Sequence, residues 1–329
     1  MSRGLKHAVK ALSNVHRPDG TPNVLLFSTP RSGSTWLMEL IWTQPGFKYC
    51  NQPLSLFNPH VRRHLGIDRW EALYEESSVP TFERYFADIF AGRVRFANPN
   101  PLRGHYRPVT RRIVVKEIHG LADRIAWFGS TFDARIVYLL RHPIAVAISS
   151  ERFPLLGAFL ETSYREHFSR EQLILADRIA SSGSHLEQGV LSWCLQNAVP
   201  LRASTNDWAV VTYEQMVVEP EPVITELART LSLPAPDRMR AALTVPSVNV
   251  KIKSSEETQH LLYETAAERR PDLVDKWRRR VDASDEARAM EIVEVFGIDT
   301  YTAGDVFPAD HAWIPARSPG EHRSDAISS

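Results

Sequence analysis

Cysteine is scarce in this chain. Only Cys50 and Cys194 occur among 329 residues, with no Cys-x-x-Cys pair. A zinc ribbon and a disulfide-built scaffold are thereby excluded, and two ordinary thiols are expected. Long apolar runs are missing too, since nothing approaches the roughly 18–20 residues of a membrane span. So is an excess of charge of one sign. Lys+Arg and Asp+Glu are both 39, a formal net charge of zero. That argues against a general nucleic-acid binder or a polybasic membrane-surface protein and leaves room for a local basic pocket. The first residues carry Arg3, Lys6 and Lys10 without an apolar stretch, unlike a secretory signal. The expectation is a cytoplasmic protein with reduced thiols. Nothing in the sequence fixes its oligomeric state, a homodimer being one option.

What is present suits a folded enzyme-sized domain. Hydrophobic residues make up 43% and charged residues 24%, near the globular average. Residues 1–20 read as a short amphipathic helix and linker, 21–306 as one domain, and 307–329 as a partly disordered tail. Short apolar runs at 23–27, 113–115, 135–140 and 208–213 lack alternation, as strands buried on both faces do. Helical patterns at 36–42, 82–90, 121–128, 144–153 and 189–203 separate them. The fold class expected is α/β, doubly wound, with a mainly parallel central sheet flanked by helices. Ligands in such sheets bind at the carboxyl ends of the strands. Further on, Ser284 is the expected N-cap and Gly297 the stop of a late helix.

The strongest chemical signal is a strand, then Thr29-Pro30-Arg31-Ser32-Gly33-Ser34-Thr35, then a helix. A tight turn at a helix N-terminus presents free N–H groups to an anion, and the helix dipole adds attraction. Gly33 allows close backbone approach. Ser32, Ser34 and Thr35 supply hydroxyls, and Arg31 a fork of donors. A capped helix with a solvated arginine is the bland alternative. A Walker A loop needs Gly-Lys and a Rossmann turn needs GxGxxG, and neither occurs here.

The stretch from Pro30 to Leu37, Pro-Arg-Ser-Gly-Ser-Thr-Trp-Leu, resembles the 5′-phosphosulfate loop of sulfotransferases that use 3′-phosphoadenosine 5′-phosphosulfate (PAPS) and release the bisphosphate PAP. A second motif of that family, a strand-end arginine with a serine eight residues later, is matched by Arg141 and Ser149. The resemblance implies a P-loop NTPase-like sulfotransferase fold. It also implies PAPS as donor, no metal, and a small-molecule acceptor carrying a hydroxyl (alcohol, phenol or sugar-like). Arg31, Ser32, Gly33, Ser34, Thr35 and Trp36 would hold the 5′ side of the donor, Arg141 and Ser149 its 3′-phosphate, and Tyr213 the adenine. Lys251 and Ser255, in a Lys-Ile-x-x-Ser-like stretch, and Arg278 are further candidates for the nucleotide.

For the chemistry, Arg31 is assigned to the leaving phosphate and Lys116 to the sulfonate charge. The general base is open. Relatives end a strand with Lys-x-His, whereas here Lys116-Glu117-Ile118-His119 puts the histidine three residues on. Alternation places Lys116 and His119 on opposite faces unless the strand ends or bulges near Ile118. His119 is the first candidate, Glu117 the second, and His60 or His64 follow. Gln52 stands where carbohydrate-type relatives carry a basic glutamate. Segments 47–106 and 151–189, with Phe57, Trp70 and Phe153 among their aromatics, are the expected walls of the acceptor site. A nucleotide-dependent kinase and a non-catalytic PAP-binding relative are the competing readings.

Overall fold

The computed structural model describes residues 12–94, 99, 104–153, 155–205, 207–245 and 271–314. The strands are β1 (Val15–His16), β2 (Val24–Ser28), β3 (Phe47–Asn51), β4 (Val109–Thr110), β5 (Arg112–Glu117), β6 (Arg135–Leu140) and β7 (Ala209–Thr212). The helices up to β7 are α1 (Ser34–Trp42), α2 (Pro59–Leu65), α3 (Val79–Phe90), α4 (Ile125–Thr131), α5 (Pro143–Ser149), α6 (Leu156–Glu161), α7 (Arg170–Ser182) and α8 (His185–Ala203). After β7 come α9 (Tyr213–Val218), α10 (Pro220–Thr230), α11 (Pro236–Ala242), α12 (Pro271–Asp275) and α13 (Ala283–Val295).

Five strands form one sheet in the order β3-β5-β2-β6-β7, and every neighbouring pair is parallel. Their residues alternate between two cores. Leu25, Phe27, Val115 and Tyr138 join Phe128, Ile144 and Val190 on one face. Val24, Leu26, Val114 and Val137 join Leu37, Ile41 and Ile224 on the other. Helices thus cover both faces, which is why these strands carry apolar side chains at consecutive positions. The chain leaves β2 toward one sheet edge through α1 and β3. It leaves β5 toward the other edge through α4 and β6. The crevice beyond the carboxyl end of β2 is the point where strand order reverses, the usual ligand position in open α/β sheets.

β6 has the expected bounds, and β2, β5 and β7 differ from the expected runs by a few residues at their ends. β3 was not anticipated. It contains Lys48, which is nevertheless buried and directs Nζ to the Asn14 carbonyl at 3.5 Å. The linker before β2 holds another short strand, β1, paired in parallel with β4. Residues 1–11 of the expected N-terminal helix lie outside the described residues, as do residues 315–329 of the tail. The part of that tail described, 307–314, packs back: Gln215 exchanges hydrogen bonds with the Ile314 backbone at 2.7 and 2.9 Å. The cap of α13 is Asp282, not Ser284. Its side chain accepts from Asp285 N at 2.8 Å, and Ser284 falls inside the first turn. Gly297 does follow the helix, at φ 69.

Candidate nucleotide and acceptor site

The turn between β2 and α1 is open at its tip. Gly33, at φ 88 and ψ 6, is the N-cap residue of α1, and no side chain caps that helix. A helix start without a side-chain cap, following a left-handed glycine, is the arrangement that suits an anion. Thr29 and Ser32 hydrogen-bond to each other through their hydroxyls and brace the turn. Gly33 is required twice over. Its backbone is left-handed, and a Cβ there would lie 2.5 Å from Cδ2 of Tyr213. Arg31 is exposed and also left-handed, at φ 69.

The second motif arrives from the end of β6. Arg141 donates from Nη1 to the Arg31 carbonyl at 2.9 Å. Its guanidinium carbon lies 4.3 Å from the centroid of the Tyr213 ring. Tyr213 in turn meets Trp36 edge-on, with centroids 6.2 Å apart. Residues from three separate stretches of sequence thus converge on one crevice. Ser149 ends α5, two turns beyond the arginine, and donates to the Val146 carbonyl at 3.0 Å.

A buried frame holds the Arg141 turn. Glu214 accepts from the His142 backbone N–H at 2.9 Å and from the Tyr301 hydroxyl at 2.8 Å. Burial raises the Glu214 carboxyl above the ordinary value, against the pull of those donors and of Arg141. The His142 ring stacks on Trp277 at 4.4 Å and bonds the Asp305 carbonyl through Nε2 at 3.2 Å. Burial pushes its pKa down to about 3. Trp193 Nε1 donates to the Arg141 carbonyl at 3.1 Å. Glu214 and His142 were not singled out from the sequence. The available signal was their position, each directly after a residue already chosen.

β5 delivers the remaining groups. Lys116 is buried and donates from Nζ to Thr35 Oγ1 at 3.1 Å, so it sits beneath the turn between β2 and α1. Burial lowers its pKa to about 8, partly offset by the attraction of Glu117 and Glu39. Glu117 is the last residue of β5. Its Oε1 accepts from the backbone N–H groups of Ile118 and His119, both at 2.7 Å, and its Oε2 from Leu54 N at 2.9 Å. The strand therefore ends where the register must change, and His119 emerges on the crevice side.

There His119 lines a cavity of about 270 Å³ together with Thr29 and Pro30 of the β2–α1 turn, and with Phe57, Phe153 and Gln196. The His119 ring lies 5.4 Å from Trp70 and 6.0 Å from Phe57. Gln196 donates to the Ile118 carbonyl at 3.1 Å and fixes the floor. His60 and His64 lie outside this cavity and are exposed. Arg278 is exposed and donates to the Gly304 carbonyl. Lys251 and Ser255 lie outside the described residues. Among the described residues no group of three or more His, Cys, Asp or Glu is placed to hold a metal, and no helix is long and apolar enough to cross a membrane.

Residues 21–297 match the family model of the sulfotransferase domain. Among solved structures, the chain is similar to the sulfotransferase domain of the Synechococcus PCC 7002 olefin synthase. That match has 18% identity, 86% of this chain, 96% of that one and a TM-score of 0.43. It is also similar to the sulfotransferase domain of the curacin biosynthetic pathway, with 16% identity, 84% and 98% coverage and a TM-score of 0.41. Mouse sulfotransferase SULT7A1, complexed with PAP, matches with 13% identity, 84% coverage of both chains and a TM-score of 0.43. No curated protein matches in sequence. With the family model covering most of its length, the chain belongs to the sulfotransferase family.

Proposed function

We propose that this sulfotransferase takes its sulfonate from PAPS and passes it to the hydroxyl of a small acceptor, with His119 as the general base. One observation carries the reading: a single cavity is lined both by Thr29 and Pro30 of the phosphate turn and by His119. Donor and acceptor sites then share a wall, as in-line transfer between them requires.

The N–H groups at the start of α1, with Ser32, Ser34, Thr35 and the Arg31 side chain, bind the 5′ side of the donor. Arg141 and Ser149 bind the 3′-phosphate, and Tyr213 and Trp36 bound the adenine. Arg31 opposes the negative charge that grows on the leaving phosphate, and Lys116, reaching Thr35 from below, opposes that of the sulfonate. The acceptor oxygen forms a bond to sulfur as the bond from sulfur to the 5′-phosphate oxygen breaks. That oxygen keeps the electron pair and leaves on PAP, and the acceptor proton passes to His119. Phe57, Phe153 and Leu155 present an apolar wall to the acceptor, and Ser150, Ser192 and Gln196 supply a few polar contacts.

The test is incubation with PAPS radiolabelled in its sulfonate, against a panel of small alcohols, phenols and sugars. Label appearing in an acceptor ester with wild-type protein, and lost with His119→Ala, is the expected result. No labelled ester from any acceptor class would overturn the reading.

A further inference from the structure

Glu117 is a buried carboxylate whose three acceptances all come from backbone N–H groups. Two of those donors are Ile118 and His119 themselves. A regular strand cannot present consecutive amides to one oxygen, so this carboxylate holds the chain out of strand geometry at that point. The extra residue between Lys116 and His119 is absorbed there. The third bond, from Leu54 N, ties the same carboxylate to the segment that carries Phe57 into the cavity wall.

The same carboxylate also faces the imidazole. His119 Nδ1 lies 3.5 Å from Glu117 Oε1, and both side chains are almost entirely buried. Among the described residues Nδ1 makes no hydrogen bond, so its nearest charged neighbour is this carboxylate, within ion-pair range. A proton on Nδ1 would face the carboxylate, whereas a bare lone pair there would be repelled by it. We infer that Glu117 is the positioning residue for His119. It sets the ring's place by folding the strand end, holds the proton on Nδ1, and leaves Nε2 as the basic atom. When Nε2 takes the acceptor proton, the resulting imidazolium charge faces the Glu117 carboxylate. This inference rests on His119 acting as the base in the proposed transfer.

The first measurement needs no activity. Nitrogen-15 NMR of the imidazoles of full-length protein, with His119 assigned by comparison with His119→Asn, reads the tautomer directly. Nδ1–H is expected, and a predominant Nε2–H tautomer overturns the inference. The second measurement is Glu117→Gln, which can keep an oxygen on the Ile118 and His119 amides but removes the charge. We expect kcat to fall by about 10- to 100-fold, the size of one close charge interaction, while PAP affinity stays within about twofold. A purely structural role would leave kcat unchanged in this variant, and that result counts against the inference. If Glu117→Gln fails to fold, the wild-type tautomer still decides. If wild type shows the Nδ1–H tautomer yet transfers sulfonate to no acceptor, the proposed function fails while the Glu117–His119 pairing stands.

Discussion

Arg141 donates to the backbone carbonyl of Arg31 across a sequence separation of 110 residues, at 2.9 Å. The guanidinium assigned to the 3′-phosphate thus also props the turn assigned to the 5′ side. Tyr213 lies between the two, against Gly33 on one side and Arg141 on the other. The two ends of the proposed donor site are therefore joined through these contacts.

Arg141→Ala should weaken PAP by about 10- to 100-fold, the worth of a hydrogen bond to a charged group. AMP, which lacks the 3′-phosphate, should lose much less. Calorimetric titration of both ligands checks this, with circular dichroism to show that the fold persists. Equal losses for PAP and AMP would detach Arg141 from the 3′-phosphate.

Gly33→Ala places a methyl group 2.5 Å from the Tyr213 ring on a left-handed backbone. The strain should cost about 1–3 kcal/mol and displace Tyr213 from the crevice. Chemical denaturation should register the first effect and PAP titration the second. Wild-type stability together with wild-type affinity would contradict the described packing.

His119→Ala should retain PAP affinity and lose turnover by about 10²- to 10⁴-fold, the usual contribution of a general base. Steady-state kinetics with the best acceptor separates the two effects. A variant with near wild-type kcat would move the base elsewhere.

Lys116 carries a pKa lowered to about 8. Its ammonium is present below that value and is lost as pH rises through it. In the free enzyme, kcat/KM for the donor should therefore decline on the alkaline side of about pH 8. Lys116→Met should lower the rate and abolish that limb. A profile flat across this range in wild type would separate Lys116 from the reaction.

His142 is neutral in the folded state, with a pKa lowered from 6.5 to about 3. Between those values the unfolded chain binds a proton that the folded chain does not. Stability is then fully present above about pH 6.5 and is lost as pH falls toward 3. His16, lowered to about 4 by burial first and Lys48 second, adds a loss of the same sign. Scanning calorimetry against pH should show Tm falling through this window, and His142→Phe should make the fall shallower. An unchanged slope in His142→Phe would assign acid sensitivity to other groups.

The central strands were legible because burial on both faces demands consecutive apolar residues, as in Val24–Ser28 and Arg135–Leu140. The strand–turn–helix unit around Gly33 was legible because a glycine-containing turn follows an apolar strand and opens a helix. β3 was not, because Lys48 interrupts its short apolar run and the burial of that lysine depends on a distant partner, the Asn14 carbonyl. The offset of His119 from Lys116 was readable as a departure from the family spacing, and a strand end near Ile118 was one remedy. That Glu117 makes this end by accepting two successive amides is a tertiary fact, set by burial and by Leu54, which no local pattern encodes. The frame of Glu214, His142, Trp277 and Tyr301 was hidden for the same reason, since its members are scattered from β6 to the last described segment.

The most direct measurement is a thermal-shift titration with PAP, AMP and Mg-ATP in parallel. A ligand at 100 times its dissociation constant adds about 2.7 kcal/mol, a shift of several degrees. The account predicts that PAP stabilises the protein strongly, AMP much less, and that Arg141→Ala erases the difference. Stabilisation by Mg-ATP alone, with no response to PAP, would contradict it.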